Sequence, residues 1–147
     1  MKRSRLFLVA LVCMVFQSVT SFADDKIIPV EQLPAAAKTF VKQHFANTTI
    51  SYATKDNEFG GAKYEARLAN GTEIDFDKKG NWDKVDCKTS AVPAALVPAA
   101  ISQFVKTNHP DAIIVKIDKE RYGYEIELSN DLELRFNKSG QLVGIDD

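Results

Sequence analysis

The feature that most constrains this 147-residue chain is that it carries one pattern twice. Leu33-Pro34-Ala35-Ala36 is answered by Val97-Pro98-Ala99-Ala100, and Phe40-Val41-Lys42 by Phe104-Val105-Lys106. Farther on, Tyr64-Glu65, Leu68, Asn70, Glu73, Phe76, Lys78, Gly80 and Asp86 recur as Tyr124-Glu125, Leu128, Asn130, Glu133, Phe136, Lys138, Gly140 and Asp146. A period of about 60 residues exceeds the roughly 20 to 50 of solenoid units. The expectation is therefore a supersecondary unit present in two copies, residues 27–86 and 91–147, fused into a single domain over residues 24–147.

The first 23 residues read as a secretory leader. Lys2, Arg3 and Arg5 form a basic start, residues 6–16 form an apolar run interrupted by Cys13, and Ser21-Phe22-Ala23 places small residues where signal peptidase cuts. Cleavage is expected after Ala23, giving a periodic domain that is periplasmic or secreted. The apolar run is too short for the ~20 residues that cross a bilayer, and no later run is longer, so no membrane insertion is expected after cleavage. Val12 stands before Cys13 where lipoprotein processing requires a small residue, which argues against a lipid anchor.

Removing the leader leaves 16 basic side chains against 20 acidic ones, a formal charge of −4. That balance opposes binding to nucleic acid or to an anionic membrane surface. It also leaves Cys87 as the single cysteine, so no intrachain disulfide is expected. The remaining 124 residues are enough for one domain with a real core.

Within each copy the hydrophobic period changes from helix to strand. Leu33, Ala37, Phe40, Val41 and Phe45 trace a helical stripe behind Pro34, repeated by Val97, Ile101, Phe104 and Val105 and ended by Pro110. Pro29 and Pro93 open a short turn before each helix. Alternation then takes over: Tyr64, Ala66 and Leu68 against Lys63, Glu65 and Arg67, and Thr72, Ile74 and Phe76 against Glu73, Asp75 and Asp77. With strands at 50–55 and 112–119 before each pair, and at 82–86 and 142–146 after it, each copy reads as a helix followed by four antiparallel strands. Two copies predict an α+β fold with an eight-stranded sheet and both helices on one face.

Register fixes the turns. A two-residue Asn70-Gly71 loop would set Arg67 opposite Ile74 and Glu65 opposite Phe76, placing charge on the apolar face. A three-residue loop, Ala69-Asn70-Gly71, pairs Leu68 with Thr72, Ala66 with Ile74 and Tyr64 with Phe76, with Gly71 left-handed. The second copy makes the same choice, with Asp131 in the left-handed position. The loops around Gly80 and Gly140 set Phe76 against Trp82 and Phe136 against Leu142. Val85, Val143 and Ile145 then fall out of phase, as do Ile113, Val115 and Ile117, so either bulges turn them inward or they form an exposed apolar patch.

The candidate binding residues lie on the face away from the helices. There Arg67 faces Glu73 and Glu125 faces Arg135, but Glu65 faces Asp75 and Glu127 faces Glu133, and like charges opposed across a hairpin are unfavourable. Trp82, replaced by Leu142 in the other copy, reads either as an interface anchor or as core partner of Phe76. The candidate partner-binding set is Glu65, Asp75, Trp82, Glu127 and Glu133. The run Asp75-Phe76-Asp77-Lys78-Lys79-Gly80 imitates a calcium loop, but Lys79 occupies a ligand position and strands flank it, so a metal site is not expected. His44 and His109 read as residues at helix C-termini. No nucleophile with an adjacent base, no C-x-x-C and no phosphate loop is present, so catalytic residues and cofactors are not expected.

The motifs L-P-x-x-A-x-x-F-V-K, here Leu33, Pro34, Ala37, Phe40, Val41 and Lys42, and Y-E-x-x-L-x-N-G-x-E-x-x-F-x-x-x-G-x-W, here Tyr64 to Trp82, resemble the PepSY-like family of exported proteins. The resemblance implies a fold likened to β-lactamase inhibitor protein, an envelope location, and, for inhibitory members of the wider group, presentation of a concave sheet to an enzyme. No functional residue carries over. The expected function is an exported, non-enzymatic binding module, inhibitor-like in the resemblance, offering an acidic sheet face to an envelope protein or peptide. The alternative is a periplasmic protein that binds a small ligand or cation. The copies differ at Trp82, Cys87 and Phe59-Gly60-Gly61, where a function beyond stability is expected to concentrate.

Overall fold

The computed structural model describes residues 25–58 and 61–147; the expected leader, its expected cleavage point and Phe59-Gly60 lie outside the described residues. The strands are β1 (Lys26–Ile28), β2 (Ile50–Glu58), β3 (Gly61–Leu68), β4 (Glu73–Phe76), β5 (Trp82–Asp86), β6 (Ile114–Glu120), β7 (Gly123–Leu128), β8 (Glu133–Asn137) and β9 (Leu142–Asp146). The helices are α1 (Ala35–His44) and α2 (Ala99–Asn108), each preceded by a 3-10 turn, at Val30–Gln32 and Ala94–Leu96. All the strands form one antiparallel sheet in chain order, β1 to β9. The same succession of turn, helix and four strands occurs twice.

Among the described residues the sheet has nine strands rather than the expected eight. The additional one is β1, three residues paired to β2 through Lys26↔Lys55 and Ile28↔Ala53. Three residues are too few to display an alternating pattern, so their pairing is invisible in sequence.

The two hairpins keep the expected register. Tyr64 pairs with Phe76 and Ala66 with Ile74, and Tyr124 with Phe136 and Ile126 with Leu134. The loops close by the same hydrogen bonds, Gly71 N–H to Leu68 O at 3.0 Å and Asp131 N–H to Leu128 O at 2.9 Å. Gly71 has φ 89° and Asp131 φ 67°, the left-handed conformation that this loop requires.

One rung of the sheet holds the molecule together. Ala53, Ala66, Ile74, Val85, Ile117, Ile126 and Leu134 pair in succession across β2 to β8, and each is 0% exposed. Four bulges bring this about, at Ser51, Asp83, Val115 and Val143, where one strand carries an unmatched residue. The bulge at Asp83 rotates Val85 into the core opposite Ile74, which resolves its apparent misphasing. Ile117 is turned inward in the same way, whereas Val143 and Ile145 stay exposed. Both helices cover this apolar side: Phe40 of α1 meets Phe76 edge-on at 5.7 Å, and Phe104 of α2 meets Phe136 edge-on at 5.4 Å. Among the described residues the opposite face carries no helix.

Candidate functional site

Residues paired across neighbouring strands point to one face, so the open face can be read rung by rung. One rung runs Glu65, Asp75, Lys84, Asp118, Glu125, Arg135, and the next Arg67, Glu73, Asp86, Lys116, Glu127, Glu133. Two acids followed by one base is the prevailing order. Lys84 Nζ lies 3.1 Å from Asp75 and relieves the Glu65–Asp75 pair from the neighbouring strand. Arg67 pairs with Glu73, Lys88 Nζ reaches Glu73 at 3.1 Å, and Arg135 reaches Asp146 at 2.7 Å. Where the two halves join, Lys84 faces Asp118 and Asp86 faces Lys116, so opposite charges flank the Val85–Ile117 pair.

Acid outweighs base most strongly in a depression of about 480 Å3 on this face. Its lining holds the carboxylates of Asp25, Asp56, Glu65, Asp75, Asp83, Asp118 and Glu120, against three lysines, Lys63, Lys84 and Lys119. Burial, then repulsion from Asp75 and Glu73, pushes the Glu65 carboxyl up. Burial and Asp77 do the same to Asp83, and burial and Glu120 to Asp118. Burial pulls Lys84 down, but attraction to Asp75 outweighs it and the ammonium is held above its ordinary value. Asp75 Oδ1 is buried without a hydrogen-bond partner.

These shifts set a pH dependence. A carboxyl raised in the folded chain takes up its proton there before it does so in the unfolded chain. Acidification from neutral toward the ordinary carboxylate range therefore stabilises the fold through Glu65, Asp83 and Asp118. Asp77 and Asp86 act oppositely: burial raises them, but hydrogen bonds from Asn81 and Lys88 respectively win and hold them low, so their contribution disappears once the pH falls through that range. Thermal denaturation between neutral and strongly acid pH should show the melting temperature rising first and then falling. A monotonic fall from neutrality would contradict this account of the face.

The structure brings together Glu65 and Asp75 of the expected set and separates the others. Glu127 and Glu133 oppose each other on the adjacent rung, with Lys116 Nζ 3.7 Å from Glu127, outside the depression. Trp82 is on the helix side, half-buried, with its ring centroid 6.1 Å from that of Phe40 and its backbone paired with Phe76. It therefore does not share a face with the four carboxylates. Lys119 crosses from β6 to place Nζ 3.6 Å from the Trp82 ring centroid, a cation–π contact between the halves.

Several members of the depression were not visible in sequence. Asp83 sits at a bulge, and Lys84, Asp118 and Lys119 enter through the β5–β6 pairing between the halves. One signal could have found Lys84: Val85 was out of phase, and a bulge that turns it inward sets Lys84 beside Asp75.

The calcium-like run is a turn. Asp77 Oδ1 accepts hydrogen bonds from the N–H groups of Lys79 (2.8 Å) and Asn81 (2.9 Å), as Asn137 Oδ1 does from Ser139 and Gln141 (both 3.0 Å). In the second half an amide oxygen serves the same purpose, so the turn closes equally with an uncharged acceptor. Cys87 is buried and free, and burial, then Asp86, pushes its thiol up against a hydrogen bond with Thr72, so it is a poor nucleophile. His44 closes α1 and His109 follows α2, each ring packed near the helix phenylalanine, Phe40 or Phe104.

Comparison with solved structures finds relatives over nearly the whole described chain. A protein of Bacteroides thetaiotaomicron named "putative calcium-regulated periplasmic protein" is 45% identical with a TM-score of 0.80, covering 84% of this chain and 98% of that one. A periplasmic protein of unknown function from Bacteroides vulgatus is 35% identical with a TM-score of 0.80, covering 84% and 99%. Another periplasmic protein of Bacteroides vulgatus is 43% identical with a TM-score of 0.79, covering 84% and 98%. No curated protein matches the chain. Among the described residues no helix is long and apolar enough to cross a membrane. The profile of the family described as "Putative beta-lactamase-inhibitor-like, PepSY-like" matches residues 21–60 and 62–144, and the chain belongs to that family.

Proposed function

We propose that the protein is an exported, non-enzymatic binding module, a duplicated unit in the manner of β-lactamase inhibitor protein, which presents its open sheet face to a cationic envelope protein or peptide. The observation that carries this reading is the depression in which seven carboxylates stand against three lysines. Burying and crowding these acids disfavours the free protein, and a lysine or arginine side chain from a partner supplies the missing countercharge. The leader-like sequence of residues 1–23 and the periplasmic relatives support an envelope location. The relatives' names give no activity, and the depression offers a surface for binding rather than a nucleophile with its base.

The alternative is a cation-binding protein, and one relative's name speaks of calcium regulation. Among the described residues, however, no three His, Cys, Asp or Glu side chains converge closely enough to hold a metal ion. Side-chain carboxylates alone therefore form no calcium cage among the described residues, which weighs against that reading.

The test is the combined variant Glu65→Gln, Asp83→Asn, Asp118→Asn. It should melt at or above the wild-type temperature, because raised carboxyls are removed, and it should lose capture of the envelope partner that wild type retains at low salt and releases at high salt. Retention of the partner by the variant would sink the proposal, as would the absence of any low-salt partner for wild type. A melting temperature that rises with calcium chloride but not magnesium chloride, and only in wild type, would favour the cation reading instead.

A further inference from the structure

The apolar rung that is fully buried from Ala53 to Leu134 ends abruptly at β9, where Ile145 pairs with Leu134 yet is 52% exposed and Val143 is 60% exposed. β9 is the last strand of the sheet, so its outer side carries no neighbour among the described residues. The other edge is guarded by shortness and by proline: β1 has three residues and Pro29 follows it. β9 has five residues, Leu142-Val143-Gly144-Ile145-Asp146, without lysine or proline, and its bulge lies at the Val143 end, leaving the ladder from Gly144 to Asp146 regular.

The first half shows what such an edge accepts. β5 holds the same register on β4 that β9 holds on β8: Trp82 and Leu142 face Phe76 and Phe136, Val85 and Ile145 face Ile74 and Leu134, and Asp86 and Asp146 face Glu73 and Glu133. The far side of β5 is occupied by β6, with Ile117 opposite Val85 and Lys116 opposite Asp86. Under that strand Val85 falls to 0% exposed.

We infer that β9 is a docking edge for an extended segment of a partner protein, which adds antiparallel as a tenth strand with an aliphatic residue opposite Ile145 and a lysine or arginine opposite Asp146. Backbone hydrogen bonds supply the attachment, and the aliphatic–basic pair sets the register. Charge selects this occupant over a second copy of the chain. Asp146 meets Arg135 of β8 at 2.7 Å yet stays exposed, as does Asp147 beside it, and β9 has no basic residue, so a second β9 strand brings no further base to this acidic end. β1 of a second copy also carries Lys26-Ile27, but its pairing on β9 would run head to tail and propagate without closing, a self-association that sedimentation detects. The edge is separate from the depression and does not depend on it.

The probe is a synthetic peptide with the sequence of residues 113–120, the β6 segment that occupies the equivalent edge internally. Titrated into the full chain, it should bind saturably and slow amide hydrogen exchange at Leu142 to Asp146. Asp146→Lys should weaken it at least tenfold, Ile145→Lys should abolish it, and the peptide bearing Lys116→Glu should bind at least tenfold more weakly. Both protein variants alter exposed positions, and far-UV circular dichroism checks their folding. The inference is overturned if the peptide fails to saturate at millimolar concentration, if the substitutions leave its affinity unchanged, or if protection appears elsewhere. It is also overturned if β9 becomes protected in a self-associated species, measured by sedimentation, without peptide. The combined Glu65, Asp83 and Asp118 variant should bind the peptide like wild type, so failure at the sheet face and failure at the edge are told apart.

Discussion

Gly123→Ala should destabilise the protein by roughly 2–5 kcal/mol, a steric and conformational effect that leaves every charge in place. Gly123 has φ 155°, and a Cβ built on it would lie 2.1 Å from the carbonyl oxygen of Phe136 and 2.5 Å from the carbonyl carbon of Asn137. These are backbone atoms and cannot swing away as a side chain would. The two strands must part, and with them the Gly123↔Asn137 pair. The first half shows why only the second has this requirement. There the β3–β4 ladder begins at Tyr64↔Phe76, so Lys63, the residue corresponding to Gly123, has no partner on β4. The second half extends its ladder one pair farther, and that pair closes only without a side chain. Urea denaturation should show a large loss for Gly123→Ala and about 0.5 kcal/mol or less for Lys63→Ala. A Gly123→Ala protein within about 1 kcal/mol of wild type would contradict this close approach.

The parts of the fold legible in sequence were those in which local pattern and register agreed. Both helices, their short leading turns and the three-residue loops followed from Leu33, Phe40 and Phe45, from Pro29 and Pro93, and from the phase of Ile74 and Phe76 against Glu65 and Arg67. Bulges were the obstacle elsewhere. Val85 and Ile117 violate strict alternation, and only pairing with strands on both sides shows that each lies in the continuous buried rung. β1 was missed because three residues carry no period.

The candidate site was legible to the same extent. Glu65 and Asp75 lie on one hairpin, so their opposition followed from the turn. Asp83, Lys84, Asp118 and Lys119 join them through a bulge and through a pairing between the halves, which no local pattern encodes. Trp82 was ambiguous for the same reason. Its phase gave a core position, its place beside a turn gave an interface, and the structure puts it against Phe40 with Lys119 above.

Phe76→Ala and Phe136→Ala should each cost roughly 3–5 kcal/mol, a large part of the ~5–15 kcal/mol that holds a domain of this size. Both rings are fully buried, and each is the sheet residue against which a helix phenylalanine stands edge-on. Deleting either opens a cavity beneath its own helix, yet the loss should not remain local. Val85↔Ile117, flanked by Lys84↔Asp118 and Asp86↔Lys116, continues the sheet from one half into the other, and the core residues of both halves form one cluster. A half that unfolded alone would uncover this rung on the half left behind. Trp82, the single tryptophan, touches Lys119 of β6, but its emission maximum follows its burial against Phe40 and so reports on the first half, whereas far-UV circular dichroism reports on both. In urea, the two signals should therefore give coincident transitions even for Phe136→Ala, whose lesion is in the second half. If dichroism were lost at lower urea than Trp82 fluorescence in that variant, the halves would be separate cooperative units, and the pairing of β5 with β6 would be a contact between two folded bodies rather than the middle of one core.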